Sequence, residues 1–484
     1  MQNIKLVELF STFSVNEWVS FCNFVKSRDV VSSRKLFPLA KEFSLLFAGK
    51  NRFEKVGIIS LFEKAYGKGP FKYQTVKNRQ SELLKTAGIF LQQQTLEKDY
   101  FTNELNLADN LYIRGLTKNY TGLLDSIGKK LFENRFDEKM YPKLDRFYLL
   151  NAARYQSLKK TEAGFNNYYE HSNVFMAYAL SGIFRDGFEY LMQKSYNITY
   201  NFNPVFEFLN SFNDESFFKK LEEQKNDFFL LPLIRFYLYK SIQSVHGAVY
   251  FAKSGKLYFK NEKKFTDAFK TEVYRMFMSY YLIKINAGEK KYYANLFRLY
   301  QKKLKQGLVS DISLCTYPAN VFREYVIIAL KLERFEWAKK FVNKYFHILP
   351  ENIRDDELSL AKIRILFAEK EFGNILNFIE KTRSNNYLHH LDTSRFKLMS
   401  YYEMSRFEES FLEIDRMKHY IRKNKKIPKL DLNLYVDFME RLAGLLKIKL
   451  DPDKRNKDFF LNELRNLKKF TPSKEWIVEK AKEL

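Results

Sequence analysis

Histidine is the side chain most often used for acid–base chemistry and metal binding near neutral pH, and this sequence has six histidines. Only His389 and His390, followed by Asp392, stand close together. Metal ligands on one helix are normally three or four residues apart on a single face, whereas adjacent histidines point in different directions. The sequence therefore predicts neither a metal site nor a cofactor.

Other catalytic motifs are also missing from the sequence. It has no Gly-rich phosphate loop, no H-E-x-x-H and no G-x-S-x-G. Gly67-Lys68-Gly69-Pro70 lacks the Lys-Ser/Thr pair of a nucleotide-binding loop. Cys22 and Cys315 are the only cysteines, which excludes a disulfide scaffold and a Cys-rich zinc site. We therefore predict that the protein is not an enzyme.

The net charge is strongly positive, with 82 Lys+Arg against 57 Asp+Glu, or +25. Residues 251–350 hold 20 Lys+Arg and 8 Asp+Glu, a local surplus of 20 − 8 = +12. Such a surface attracts nucleic acid or acidic protein segments. A coding bias that raises Lys, Phe and Tyr together would also give a basic chain, but it does not predict a regional surplus.

Lysines and aromatic residues alternate within the basic region, as in Lys290-Lys291-Tyr292-Tyr293 and Tyr300-Gln301-Lys302-Lys303. Charge beside stacking rings is what single-stranded nucleic acid requires. An amphipathic helix with aromatic core positions has the same pattern. The possible polyanion-binding residues are Lys290, Lys291, Lys302, Lys303 and Lys305.

Length and composition predict a helical protein. The chain has 484 residues but only 17 Gly and 10 Pro, too few for the turns of an all-β fold. The longest apolar runs, 174–184 and 228–234, are shorter than the roughly 18–20 residues of a spanning helix. The first residues lack the pattern of a secretory signal. A cytoplasmic protein without membrane insertion is expected.

The first 100 residues predict a helical domain. Ser14 and Glu17 form a capping box, and Phe13 with Trp18 fits a hydrophobic staple. A further helix over 74–94 places its apolar residues inward and a few basic ones outward. The outer face is either the recognition helix of a helix-turn-helix or a solvated surface, and its scattered charges favour the second interpretation.

The C-terminal half contains three segments that resemble one another. Each segment is expected to contain the end of one helix, a short polar turn and the start of a second helix. The three segments are 329–338, 366–375 and 401–410. Phe335, Phe372 and Phe407 occupy the same place, 37 and 35 residues apart. We expect these three side chains at equivalent packed sites.

This pattern resembles the tetratricopeptide repeat, a helix–turn–helix unit with a period of 34 residues. In the first unit, the family's key places are held by Phe322, Tyr325, Ala329, Phe335, Ala338, Val342 and Pro350. The unit departs from the family at Glu333, where Gly is usual, and at Val326, where a smaller residue is usual. Ser410 replaces Ala in the third unit. The resemblance covers residues 319–425.

The resemblance implies stacked helix pairs that form a curved solenoid with a concave groove. In the family, exposed positions of each first helix contact the partner. Those positions are Asn320, Arg323, Lys331, Arg364 and Arg395. Three arginines from successive first helices would suit carboxylate or phosphate groups, unless Glu324, Glu357 or Asp392 neutralises them.

The sequence therefore predicts an all-α fold, with a helical N-terminal domain followed by a curved array of antiparallel helix pairs. The expected domains are a helical domain at 1–100, a degenerate array at 101–318, tetratricopeptide-like repeats at 319–425 and capping helices at 426–484. The expected function is a non-enzymatic interaction scaffold that binds an acidic protein or peptide in its groove. The alternative is nucleic-acid binding, to RNA or DNA, through the basic 251–350 region.

Overall fold

The computed structural model describes residues 4–29, 35–48, 58–67, 73–195, 201–212, 215–308, 318–382, 384, 386–424, 427–450, 454–465 and 473–484. Within these ranges, helices are the only regular elements. The predicted all-α fold class is therefore confirmed. Cys315 and 68–70 of the Gly67-Lys68-Gly69-Pro70 segment lie outside the described residues.

The described residues form twenty-four α-helices. In the first half these are α1 Ile4–Ser11, α2 Val15–Asp29, α3 Phe37–Ala48, α4 Ile58–Tyr66, α5 Tyr73–Lys98, α6 Tyr100–Ile113, α7 Thr117–Glu133, α8 Tyr141–Ser157, α9 Thr161–Ser195, α10 Pro204–Ser211, α11 Glu215–Glu223 and α12 Leu230–Gln243. In the second half they are α13 Gly247–Asn261, α14 Asp267–Asn286, α15 Tyr292–Lys305, α16 Pro318–Lys331, α17 Phe335–Tyr345, α18 Glu351–Ala368, α19 Phe372–Lys381, α20 Tyr387–Glu403, α21 Phe407–Lys423, α22 Lys429–Leu450, α23 Lys454–Arg465 and α24 Lys474–Glu483.

The chain divides into two compact units, Met1–Gly182 with Glu215–Pro232, and Ile183–Asp214 with Leu233–Leu484. In the first unit, the predicted capping box starts α2: the Ser14 N–H donates to Glu17 Oε2 (2.8 Å), and the Glu17 N–H donates to Ser14 Oγ (3.3 Å). The Phe13 and Trp18 rings are 5.2 Å apart. Trp18 and the buried residues of α5 share one apolar core.

The second unit contains the three segments that repeat in the sequence. They form the pairs α16 and α17, α18 and α19, and α20 and α21. Aromatic rings join the two helices of a pair, as Tyr325 does with Phe341 (5.0 Å). Rings also join neighbouring pairs, as Phe367 does with Phe396 (5.5 Å). Each helix thus buries its apolar face against its neighbours rather than alone.

Phe335, Phe372 and Phe407 are each the first residue of the second helix in their pair. All three side chains are half-buried rather than fully buried. Phe372 meets the ring of Phe367 at 5.4 Å, and Phe407 meets that of Tyr402 at 5.9 Å. The positions are equivalent, but each ring covers the edge of the core and does not fill its centre.

The turn inside each pair has one unusual backbone conformation. Glu333, Lys370 and Ser405 have φ values of +56°, +62° and +58°. The N–H of each bonds the carbonyl three residues earlier (3.0–3.1 Å), and the next N–H bonds the carbonyl five residues earlier (2.8–2.9 Å). These two bonds are the Schellman motif, in which Gly is the usual left-handed residue. Glu333 thus takes the left-handed conformation that glycine usually takes in this motif.

The same pair of hydrogen bonds recurs at Gly115, Lys159 and Gly288. These turns join α6 to α7, α8 to α9, and α14 to α15. Helix–turn–helix pairs therefore occur before residue 319, in a part of the chain where the sequence shows no clear repeat.

We expect Lys370→Gly to raise the free energy of unfolding by about 0.5–1 kcal/mol, because glycine relieves the left-handed conformation at this exposed position. The neighbouring Glu369 has φ −80°, and its carboxylate lies 2.6 Å from Lys339 Nζ. Glu369→Gly should therefore lower stability, through the added backbone freedom and the lost ion pair. Chemical denaturation of both variants measures the two changes. A destabilised Lys370→Gly variant would contradict this explanation of the turn.

None of the helices in the described ranges is both long enough and apolar enough to cross a membrane.

Candidate functional site

The three arginines singled out by the repeat lie on the first helices of successive pairs: Arg323 on α16, Arg364 on α18 and Arg395 on α20. Two guanidinium nitrogens of Arg323 donate hydrogen bonds to the Glu357 carboxylate, and one of them lies 2.6 Å from Oε2. The Glu357 side chain is only 4% exposed. The contact is therefore a desolvated, bidentate ion pair with charge-assisted hydrogen bonds, which are stronger than neutral ones.

The other two arginines meet at a buried carboxylate, Asp392. Arg395 Nη2 donates to its Oδ1 (2.9 Å), and Arg364 Nη2 lies 3.5 Å from its Oδ2. The hydroxyl of Tyr435, on α22, donates to Oδ1 at 2.8 Å. Asp392 thereby ties α18, α20 and α22 together. We call Arg323, Arg364, Arg395, Glu357 and Asp392 the arginine cluster.

The pKa values reflect this crowding of charges. Burial alone would raise the pKa of Asp392, yet the Arg395 and Arg364 guanidinium groups and the Tyr435 hydroxyl hold that pKa below its ordinary value. Burial lowers the pKa of Arg364. Repulsion from Arg395 and Arg323 adds to this effect, against the attraction of Asp392 and Glu357. The arginine cluster contains three guanidinium groups and two carboxylates, so one positive charge stays uncompensated within it.

The last helix, α24, lies against the same first helices. Lys331, at the end of α16, forms an ion pair with Glu475. Arg395 Nη1 donates to Ser473 Oγ (3.0 Å), just before α24 begins. Asn320 is exposed near the start of α16. The structure thus brings Arg323, Arg364 and Arg395 together, and it places Lys331 and Arg395 beside α24.

Further contacts hold α24 to α20. Trp476 Nε1 donates to Glu403 Oε1 (2.7 Å), and Lys480 Nζ lies 3.1 Å from the same oxygen. The Trp476 ring packs edge-on against Tyr402 (5.3 Å). On its other side, α24 buries Ile477 in the core of the second unit. Side chains of the first helices α16 and α20 thus bind Glu475 and Trp476 of α24.

The repeat in the sequence does not point to Tyr435, Ser473, Glu475 or Trp476. They lie 43 to 144 residues from the side chains that they contact, and a local repeat carries no signal at that range. The one available signal was Trp476, one of only three tryptophans, in a short amphipathic segment at the end of the chain.

The five lysines of the basic region are not gathered on one surface. Lys290 and Lys291 are exposed before α15, and Lys291 lies 3.4 Å from Glu289. At the other end of α15, Lys302 lies over the Phe259 ring (3.6 Å) and 3.4 Å from Glu262. Lys303 is buried, with 1% of its surface exposed, while Lys305 is exposed.

His389 and His390 lie near the start of α20 without a metal-binding arrangement. His389 is buried, and the His390 ring packs on Tyr420 at 3.9 Å. Across the described ranges, no three His, Cys, Asp or Glu side chains are grouped to hold a metal ion.

No known family model, curated protein or solved structure matches the chain.

Proposed function

We propose that the protein is a non-enzymatic interaction scaffold of the tetratricopeptide-like, α-solenoid kind, and that the first helices α16, α18 and α20 bind a protein or peptide partner through its acidic side chains. The observation that carries this proposal is the uncompensated positive charge of the arginine cluster. Arg364, with 11% of its side chain exposed, lies beside two other guanidinium groups, and a single 3.5 Å contact with Asp392 is its ion pair.

A carboxylate delivered by a partner would relieve this repulsion. Interactions between charges are stronger at such partly desolvated sites than in open solvent. Arg323 and Arg395 keep 25% and 12% of their side chains exposed, and Lys331 keeps 44%. These side chains therefore provide the route by which the partner's carboxylates reach the cluster.

The contacts of α24 support the same proposal. Glu475 already pairs with Lys331, and the Ser473 hydroxyl accepts from Arg395. A partner that presents carboxylates at these two places would replace weak or exposed contacts with charge-assisted hydrogen bonds. Its binding region would therefore overlap the N-terminal end of α24.

Nucleic-acid binding through residues 251–350 stays a prediction. The burial of Lys303 and the carboxylates beside Lys291 and Lys302 do not favour it. The capture experiment below distinguishes nucleic-acid binding from the scaffold function.

The test is affinity capture from native lysate with the full chain as bait, with and without nuclease. We expect a protein partner that survives nuclease and is lost with the Lys331→Gln/Arg395→Gln variant. The Arg334→Gln/Lys370→Gln variant, which removes two exposed positive charges elsewhere, should retain it. Capture that nuclease abolishes would favour the nucleic-acid alternative, and equal capture by both variants would contradict the proposed surface.

A further inference from the structure

A separate polar cleft of about 640 Å³ lies between α19, α20 and α21. Ligand sites in proteins commonly have volumes of about 300–1,000 Å³. One face of α20 supplies most of the lining side chains, and Glu413 of α21 lies opposite. We call it the Lys397 cleft. Its polar lining includes His389, His390, Thr393, Ser394, Lys397 and Glu413, together with Thr382 and Ser384 beyond the end of α19.

Two opposite charges line this cleft side by side. Lys397 Nζ lies 3.0 Å from Glu413 Oε2, and the two side chains are only 18% and 8% exposed. Arg416 reaches the same oxygen from outside at 3.4 Å, with 69% of its side chain exposed. The contacts of Glu413 thus converge on Oε2, and Oε1 has no hydrogen-bond partner among the described residues.

The other polar lining groups are neutral hydrogen-bonding side chains. Burial lowers the pKa of both His389 and His390, which favours the uncharged form of the two imidazoles. His389 Nε2 is buried and, within the described ranges, lacks a hydrogen-bond partner. Buried polar atoms are nearly always paired, so this nitrogen keeps a bonding capacity that no described residue meets.

The charges select one class of ligand. A simple anion in the cleft would have its charge beside Glu413, and a simple cation would have its charge beside Lys397. A zwitterion avoids both penalties, because its carboxylate faces Lys397 while its ammonium group faces Glu413. In an α-amino acid the ammonium nitrogen and the carboxylate carbon are about 2.5 Å apart, which is close to the 3.0 Å between Lys397 Nζ and Glu413 Oε2.

We infer that the Lys397 cleft binds a free α-amino acid. The ligand's carboxylate accepts from Lys397, its ammonium group donates to Glu413 Oε1, and its side chain occupies the remaining volume near His389. This site is distinct from the arginine cluster and does not depend on the proposed scaffold function.

The inference is tested by thermal unfolding of the full chain with pools of the twenty L-amino acids. A ligand that binds the folded state raises the melting temperature, and we expect at least one pool to raise it by about 2 °C or more. The active amino acid is then compared by calorimetry with its methyl ester and its N-acetyl derivative, each of which lacks one charge. Both should bind at least about tenfold more weakly, because each loses one charged hydrogen bond.

The matched variant is Lys397→Met/Glu413→Gln. It removes both buried charges together, which preserves folding better than removal of one, and it should abolish binding. Arg416→Gln, which touches Glu413 from outside the cleft, should bind within about twofold of the unmodified protein. The inference is overturned if no pool shifts the melting temperature, if the ester or the N-acetyl derivative binds as tightly as the amino acid, or if the folded double variant still binds. The analogue comparison decides the question even where the double variant does not fold.

Discussion

Replacement of Asp392 by alanine should lower the free energy of unfolding by about 3–5 kcal/mol, the usual cost of leaving buried charges without their partner. Asp392 is 9% exposed and is the carboxylate shared by Arg364, Arg395 and the Tyr435 hydroxyl. Its loss would leave three guanidinium groups facing a single carboxylate. It would also break the link between α18, α20 and α22.

Urea denaturation measures this loss, with Asp415→Ala as the matched control. Asp415 lies on the exposed side of α21, so its replacement should change stability by no more than about 0.5 kcal/mol. Equal effects of the two substitutions would mean that the arginine cluster is not the charged centre of this region.

The same carboxylate predicts a pH dependence. Because the folded protein holds the pKa of Asp392 below its ordinary value, its contribution is present in full above about pH 4 and is lost as the pH falls through the folded pKa. The stability difference between the unmodified protein and Asp392→Asn should therefore be largest near neutral pH and should shrink below about pH 4. A difference that grows on acidification would contradict the sign of the shift.

The sequence predicted those features of the fold that depend on local periodicity. Capping at Ser14, the helix pairs after residue 319 and the place of Phe372 at a helix start all follow from residue spacing. The spacing could not separate a ring at the edge of the core from a buried one. Phe335, Phe372 and Phe407 are half-buried for that reason.

Two other features were hidden from the sequence for physical reasons. A left-handed turn residue is normally signalled by glycine, but Lys159, Glu333, Lys370 and Ser405 adopt that conformation without one. Before residue 319 this conceals the turn at Lys159, whereas the turns at Gly115 and Gly288 do contain the glycine. The contacts of α24 depend on tertiary packing, and hydrogen bonds such as that between Trp476 and Glu403 leave no periodic pattern.

The other large effect is expected on the affinity of the acidic partner. A carboxylate-rich ligand should bind Lys331 and Arg395 through charge-assisted hydrogen bonds, each of which contributes about 1.5–3 kcal/mol. The Lys331→Gln/Arg395→Gln variant should therefore bind at least about tenfold more weakly. Glu475→Gln should have the opposite effect, because it removes the carboxylate that competes for Lys331, and a gain of about two- to fivefold is expected from an exposed pair.

The most direct test is the affinity of a fluorescein-labelled glutamate decapeptide, measured by anisotropy at about 50 and 200 mM salt. A single-stranded oligonucleotide of equal charge is titrated beside it, and Arg334→Gln/Lys370→Gln serves as the charge-matched control. We predict that the peptide binds the unmodified protein, that Lys331→Gln/Arg395→Gln loses at least about tenfold while the control changes less than about twofold, and that Glu475→Gln binds more tightly. Equal losses in the two double variants, or binding of the oligonucleotide without the peptide, would contradict an acidic-partner site on α16, α18 and α20.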